Sequence, residues 1–215
     1  MTPDLVIFDC DGVIVDSEGP TCAVIAKHLR KYGMEIQAED VHELFVGQTI
    51  HEIHRTGRLK NLDLPDDWSA QVYEEMFEVL AEGVPLSAGV VELFDALEAQ
   101  GTRIAIASNG AIEKMQHTLG PHGLFDRFAD GRMYSGHTSG APKPQPGMLQ
   151  MAMEQAKAAP ERTFMIDDSV AGEGAARNAG TRFYGYNEHG GRELLEPTGA
   201  EIVMSMQELH DRLVG

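Results

Sequence analysis

Leu5, Val6, Ile7 and Phe8 form an unbroken apolar run near the start of the chain, and β-type runs recur at Arg103–Ala107, Thr163–Ile166, Arg182–Tyr186 and Glu201–Val203. Short apolar runs of this kind suit strands covered on both faces. The segments between them carry a helical period instead. Val90, Leu93, Phe94 and Leu97 recur at helical spacing and Gly101 closes the segment. Ile112, Met115 and Leu119 mark a second helix ended by Gly120, and Pro146 suits the first turn of a third that presents Leu149, Ala152, Met153 and Ala156. Ser205 and Glu208 form a capping box for the last helix, which carries Leu209 and Leu213. Strands alternating with helices predict an α/β fold, a mostly parallel sheet with helices on both faces.

The stretch from Ser17 to Gly83 breaks this rhythm. It holds no convincing strand but several helical patterns, among them Thr21, Val24, Ile25, His28, Leu29 and Tyr32, stopped at Gly33. Val72, Met76 and Leu80 make another, after a cap at Asp67. About 65 residues are too many for a simple crossover. The pattern predicts a helical insertion at residues 17–84, hinged near Asp16–Pro20 and Gly83–Ser87, inside a core made of residues 1–16 and 85–215.

Composition narrows the partners. The 215 residues are 42% hydrophobic and 24% charged, ordinary for a globular protein. A net charge of -17 excludes nucleic acid as an expected partner, because its binding needs clustered Lys and Arg. An anion-binding site in so acidic a chain needs local positive potential, most simply from a divalent cation. No run approaches the length of a membrane span, the start lacks a signal-peptide layout, and Cys10 and Cys22 make no disulfide framework. A cytoplasmic protein with no membrane and no obligate protein partner is expected.

The chemistry gathers at strand ends, where open parallel sheets collect ligands. The first strand delivers Asp9-Cys10-Asp11-Gly12, the second Ser108-Asn109-Gly110, and the strand at 163–166 delivers Asp167-Asp168-Ser169. Lys143 lies in "APKPQP", ahead of a helix. Asp9, Asp11, Asp167 and Asp168 make sense together around Mg²⁺, which takes oxygen ligands and neutralises acids that otherwise repel. Ser108 and Asn109, at a helix start, suit a phosphate, and Lys143 adds a point charge.

"FDCDGV", "IASNG", "APKPQP" and "MIDDS" stand in the order of the four signatures of the haloacid dehalogenase superfamily, and the chain resembles that family over nearly its whole length. "DGVIVDSE", "GVPLSAGV" and "DDSVAG" resemble its β-phosphoglucomutase-like branch, and "SNGAIEKMQHTLG" is similar to bacterial 6-phosphogluconate phosphatases. The resemblance implies a Rossmann-like core with an α-helical cap. It implies Asp9 as a nucleophile that forms an aspartyl-phosphate, Asp11 as general acid and base, and Ser108, Asn109 and Lys143 as phosphate ligands. It implies Mg²⁺ on Asp9, the backbone carbonyl of Asp11 and Asp168, with Asp167 ligating or acting through water, and a cis Lys143–Pro144 bond. A small phosphorylated metabolite, a sugar phosphate or sugar-acid phosphate, is the expected substrate. Cap groups that would select it are Glu18, Thr21, Gly47, Gln48, His51 and Arg55, around the loop Phe45–Thr49.

Other readings are weaker. "HEIH" at His51–His54 is one residue short of a zinc-protease motif, which places both histidines on the cap surface. "GEGAAR" at Gly172–Arg177 puts an arginine where a dinucleotide loop needs a small residue, so its glycines are expected to let a helix approach the sheet. Ser108 could cap the helix at 111–119, a role compatible with binding phosphate. The presence of Asp11 opposes dehalogenase chemistry. A phosphoglucomutase-type phosphotransferase is the nearest alternative, but Thr21 and Ile50 stand where those mutases place a histidine and an arginine. A receiver-like phospho-switch without turnover is the alternative of another class.

Overall fold

The computed structural model describes residues 2–45, 50–59, 61–188 and 195–215. The chain divides into two compact units, residues 1–16 with 85–215, and residues 17–84.

The first unit is built on a six-stranded sheet in the order β3-β2-β1-β4-β5-β6. Its strands are β1 (Leu5–Phe8), β2 (Arg103–Ser108), β3 (Met133–Ser135), β4 (Thr163–Asp167), β5 (Arg182–Tyr186) and β6 (Glu201–Val203). Every neighbouring pair is parallel. The α/β fold with its parallel sheet is therefore as the sequence predicts. The strand β3 was not anticipated: three residues at the sheet edge are too few to show a period. β1 lies at the centre, flanked by β2 and β4, and all four of its residues are buried.

Alternation along β1 divides the core between two layers. Leu5 and Ile7 join Ala105, Ala107 and Met165 against Met148, Leu149, Ala152 and Met153 of α9 (Gly147–Ala156) and Ala175 and Ala176 of α10 (Val170–Ala179). On Phe8 the ring of Phe94, from α5 (Val90–Ala99), stands edge-on at 4.9 Å, and Phe94 meets Phe128 at 5.6 Å. Each such ring pair adds about 0.5–1.5 kcal/mol beyond the area it buries. The glycines of α10 do admit a close approach: a Cβ on Gly174 would lie 2.8 Å from Pro144, and one on Gly172 would lie 2.0 Å from the Asp167 carboxyl.

Local signals were met with small shifts. Pro146 occupies the cap position of α9, one residue ahead of the first turn. In the last helix, α11 (Met206–Leu213), Ser205 accepts the Glu208 N–H, but the Glu208 carboxylate takes the N–H of Met204 at 2.9 Å, so the box closes one residue early.

The second unit is helical: α1 (Glu18–Lys31), α2 (Ala38–Phe45), α3 (Ile50–Leu59) and α4 (Trp68–Ala81). Val24, Ile25 and Leu29 of α1 are buried, as are Trp68, Val72, Met76 and Leu80 of α4. Glu75 of α4 ties the pair, 2.6 Å from Lys27 and 2.9 Å from His28. Asp67 stands at the cap position of α4, but its carboxylate makes no capping hydrogen bond. His51 is exposed, whereas His54 turns inward: its Nδ1 lies 3.1 Å from Ser69 Oγ and its ring packs on Trp68 at 5.5 Å. The expectation that both histidines lie on the surface holds for His51 alone, because the α3 face that carries Ile53 and Gly57 also carries His54.

Candidate active site

Register brings the acids together. Phe8 pairs with Ile106 on one side and Ile166 on the other, and the Asp9 N–H continues the ladder to Ile166 O at 2.8 Å. Asp9 is thus abreast of Asp167, the last residue of β4, with Ser108 closing β2. The chain then turns sharply. Gly12 N–H reaches Val15 O at 2.8 Å and Ile14 N–H reaches Cys10 O at 2.9 Å. Gly12 takes the left-handed φ of 78°, and a Cβ there would fall 2.1 Å from Asp168 Oδ2. Only glycine gives both the turn and the room.

Ligand atoms of Asp9, Asp167 and Asp168 all lie within 4.8 Å of one another. Lys143 is the buried counter-charge, 2.6 Å from Asp167 Oδ2 and 2.9 Å from Asp9 Oδ1. The other Asp167 oxygen accepts from the backbone and the hydroxyl of Ser169, at 2.9 and 2.6 Å. Ser169 in turn caps α10 through Gly172 N–H. Burial pushes the Asp9 carboxyl up; Lys143 pulls it down, Asp167 and Asp11 push it further, and it settles at about 7. For Lys143 burial works against the charge, yet Asp167 and Asp9 hold the ammonium above its ordinary range. Three hard oxygen donors gathered this closely fit a divalent cation, and offer no thiolate or imidazole for softer metals.

The Asn109 side chain steadies the neighbouring lysine segment. Its amide clamps the backbone of Lys143 on both sides: Oδ1 accepts Lys143 N–H at 2.7 Å and Nδ2 donates to Lys143 O at 3.0 Å. Asn109 therefore holds the lysine segment, and the Lys143–Pro144 bond within it is cis. Ser108 does not cap α6 (Ile112–Leu119), whose cap residue is Ala111; its hydroxyl accepts Gly110 N–H at 3.0 Å and keeps a proton for another acceptor. The Asp11 carboxylate pairs with Lys114 of α6 at 2.8 Å. Burial lowers the Lys114 pKa, but Asp11 outweighs it and the ammonium stays above its ordinary range. Ser135, at the end of β3, donates to Gly110 O at 2.7 Å and so steadies the Ser108–Gly110 loop. Reading the sequence missed Lys114 and Ser135, since a first-turn lysine and an edge-strand serine carry no motif. The Cys10 thiol is buried, and burial with the neighbouring Asp11 and Asp9 charges holds it protonated.

The remaining candidates belong to the helical unit. Glu18 is exposed at the start of α1, Thr21 is half-buried one turn on, and His51 and Arg55 are exposed one turn apart on α3. Gly47 and Gln48 lie outside the described residues, as does the loop Val46–Thr49.

Residues 6–186 match the family model of the haloacid dehalogenase-like hydrolases. The chain belongs to this family and is one of its enzymes. It is 28% identical to the 6-phosphogluconate phosphatase of Escherichia coli (strain K12) over 84% of this chain and 81% of that protein. It is 26% identical to the phosphoglycolate phosphatase of Nitrosococcus oceani over 98% of this chain and 96% of the relative. A family hydrolase from Deinococcus radiodurans R1, crystallised with bound phosphate and sodium, superposes with a TM-score of 0.82 at 28% identity, covering 98% of this chain and 94% of that one. Among the described residues no helix is long and apolar enough to cross a membrane.

Proposed function

We propose that the chain is a Mg²⁺-dependent phosphomonoester hydrolase that uses Asp9 as nucleophile on a small sugar phosphate or sugar-acid phosphate. The observation that carries this reading is the convergence of Asp9, Asp167 and Asp168 with Lys143 at the carboxyl ends of β1 and β4. The names of the two phosphatase relatives support the substrate class, since both act on a phosphate ester that also bears a carboxylate.

Asp9, Asp168 and the backbone carbonyl of Asp11 would hold Mg²⁺, with Asp167 ligating or acting through water. When bound, the cation neutralises the acids and draws charge from the phosphoryl oxygens. Asp9 attacks phosphorus with one carboxylate oxygen. The bond to the ester oxygen breaks, its electron pair stays on that oxygen, and Asp11 delivers a proton there. Lys143 has a third N–H beyond those facing Asp9 and Asp167, and with the Ser108 hydroxyl it holds the phosphoryl oxygens. Asp11, now a carboxylate, takes a proton from a water that attacks the same phosphorus. The bond to Asp9 breaks, its pair returns to the carboxylate, and phosphate leaves. The helical unit serves as the cap, with Glu18, Thr21, His51 and Arg55 selecting the substrate.

The test is a panel of p-nitrophenyl phosphate, 6-phosphogluconate, phosphoglycolate, glucose phosphates and nucleotides with Mg²⁺ present. Phosphate release is expected, with the highest kcat/KM on a sugar or sugar-acid phosphate. A purified, folded protein that releases none from any of them refutes the reading. A phospho-switch would accept one phosphoryl group per chain and stop.

The metal also predicts a pH signature. Between the ordinary carboxylate range and about 7, folded Asp9 keeps a proton that the unfolded chain has released. Stability of the metal-free protein therefore falls as pH rises through that window. Adding Mg²⁺ to chelator-treated protein should raise Tm by several degrees at about pH 8 and by much less at about pH 5.5. Differential scanning fluorimetry reads this directly, and equal shifts at both values would contradict it.

A further inference from the structure

Four acids crowd one end of the sheet, yet the reaction asks two incompatible tasks of them. Some must stay ionised on a cation, and one must take up and release a proton. The acid that serves the leaving oxygen must therefore be held apart from the cation, and the contact that holds it is to Lys114.

Asp9, Asp167 and Asp168 point their oxygens at a common centre, and the Asp11 carboxylate does not join them. It lies instead 2.8 Å from the Lys114 ammonium, in a pair whose side chains keep only 19% and 23% of their exposure. At that depth solvent screens the pair weakly. Gly110 marks the spot independently: a Cβ on it would lie 3.2 Å from Ser108 Oγ, 3.5 Å from Asp11 Oδ2 and 3.7 Å from Lys114 Cδ. The phosphate-binding hydroxyl, the proton-moving acid and the lysine thus border one glycine. Lys114 is also the third residue of α6, in the turn where the helix dipole disfavours a cation. A lysine placed there needs a nearby anion to favour it, and Asp11 is that anion.

Resting on the hydrolase reading, we infer that Lys114 is a positioning residue that tethers the Asp11 carboxylate away from the metal cluster and beside the ester oxygen it protonates. Without the tether, Asp11 swings toward the cation as a further ligand and ceases to serve as acid. Lys114 itself touches neither substrate nor metal.

The test compares leaving groups. An alkyl oxygen needs a proton to depart, whereas p-nitrophenolate leaves without one, so the loss of a placed acid shows in kcat/KM for the first and spares the second. In Lys114→Met, kcat/KM on 6-phosphogluconate, or on β-glycerophosphate if the former is not turned over, should fall about tenfold or more, a part of the roughly hundredfold or greater worth of a general acid. On p-nitrophenyl phosphate it should change by less than about threefold, while Lys114→Arg retains most of the alkyl activity. The ratio of the two constants does not depend on the fraction folded; if the Met variant yields no folded protein, Lys114→Gln replaces it. Equal losses on both substrates, or no loss on either, would overturn the assignment and leave the hydrolase reading standing. If the wild-type protein turns over neither substrate, it is the hydrolase reading that fails.

Discussion

Asp9→Asn is expected to cut phosphate release from p-nitrophenyl phosphate by at least about a thousandfold while the protein stays folded. An amide has the shape of the carboxylate but no oxygen nucleophile able to carry a phosphoryl group. The stability side of the prediction follows from the same surroundings. Asp9 is buried beside Asp167 and Asp11, and its carboxyl is pushed up to about 7. Neutralising it removes that repulsion and weakens one of the two Lys143 contacts, so Tm in the absence of metal should hold level or rise. Activity and a thermal melt, measured on the same preparation, separate lost chemistry from lost fold. A variant that retains a tenth of the wild-type rate would remove Asp9 from the nucleophile's place.

Lys143→Met should act on the fold itself. Lys143 keeps 2% of its side-chain exposure and faces Asp167, which keeps none, and Asp9, which keeps 12%. Removing one member of a buried ion pair leaves the partner charge without compensation and costs about 3–5 kcal/mol. Here two carboxylates lose their partner at once, so the upper part of that range is expected in urea unfolding of metal-free protein. Mg²⁺ should recover part of the loss, because it supplies charge to the same oxygens. A drop below about 1 kcal/mol would mean that water already solvates these acids. In that case the centre would not be the closed electrostatic cluster described above.

The sequence was most readable where chemistry and periodicity coincide. β1 and β4 announce themselves through apolar runs that suit a strand buried on both faces, and the acid-bearing ends follow those runs directly. Asp9, Ser108 and Asp167 could be placed because a strand end fixes where the next residue points. β3 could not, since Met133–Ser135 pairs with β2 alone and is too short to show alternation. Lys114 and Ser135 were missed for another reason. Their roles arise from where α6 and the Lys143 segment fold back over the sheet, and a residue's spacing in the chain does not report a contact made across it. The side-chain amide of Asn109 is likewise committed to the Lys143 backbone, a contact that spacing does not announce.

The central place of β1 has a consequence for how the protein is made. During synthesis β1 must wait for both its neighbours: β2 begins at Arg103 and β4 only at Thr163. Until then both its edges present unpaired N–H and C=O groups from a strongly apolar segment, the condition that invites association with other chains. Ordering across such sequence separations is slow. A nascent or truncated chain ending before β4 would carry Asp9 with neither Asp167 nor a closed sheet, so the acidic centre cannot assemble until β4 has been made.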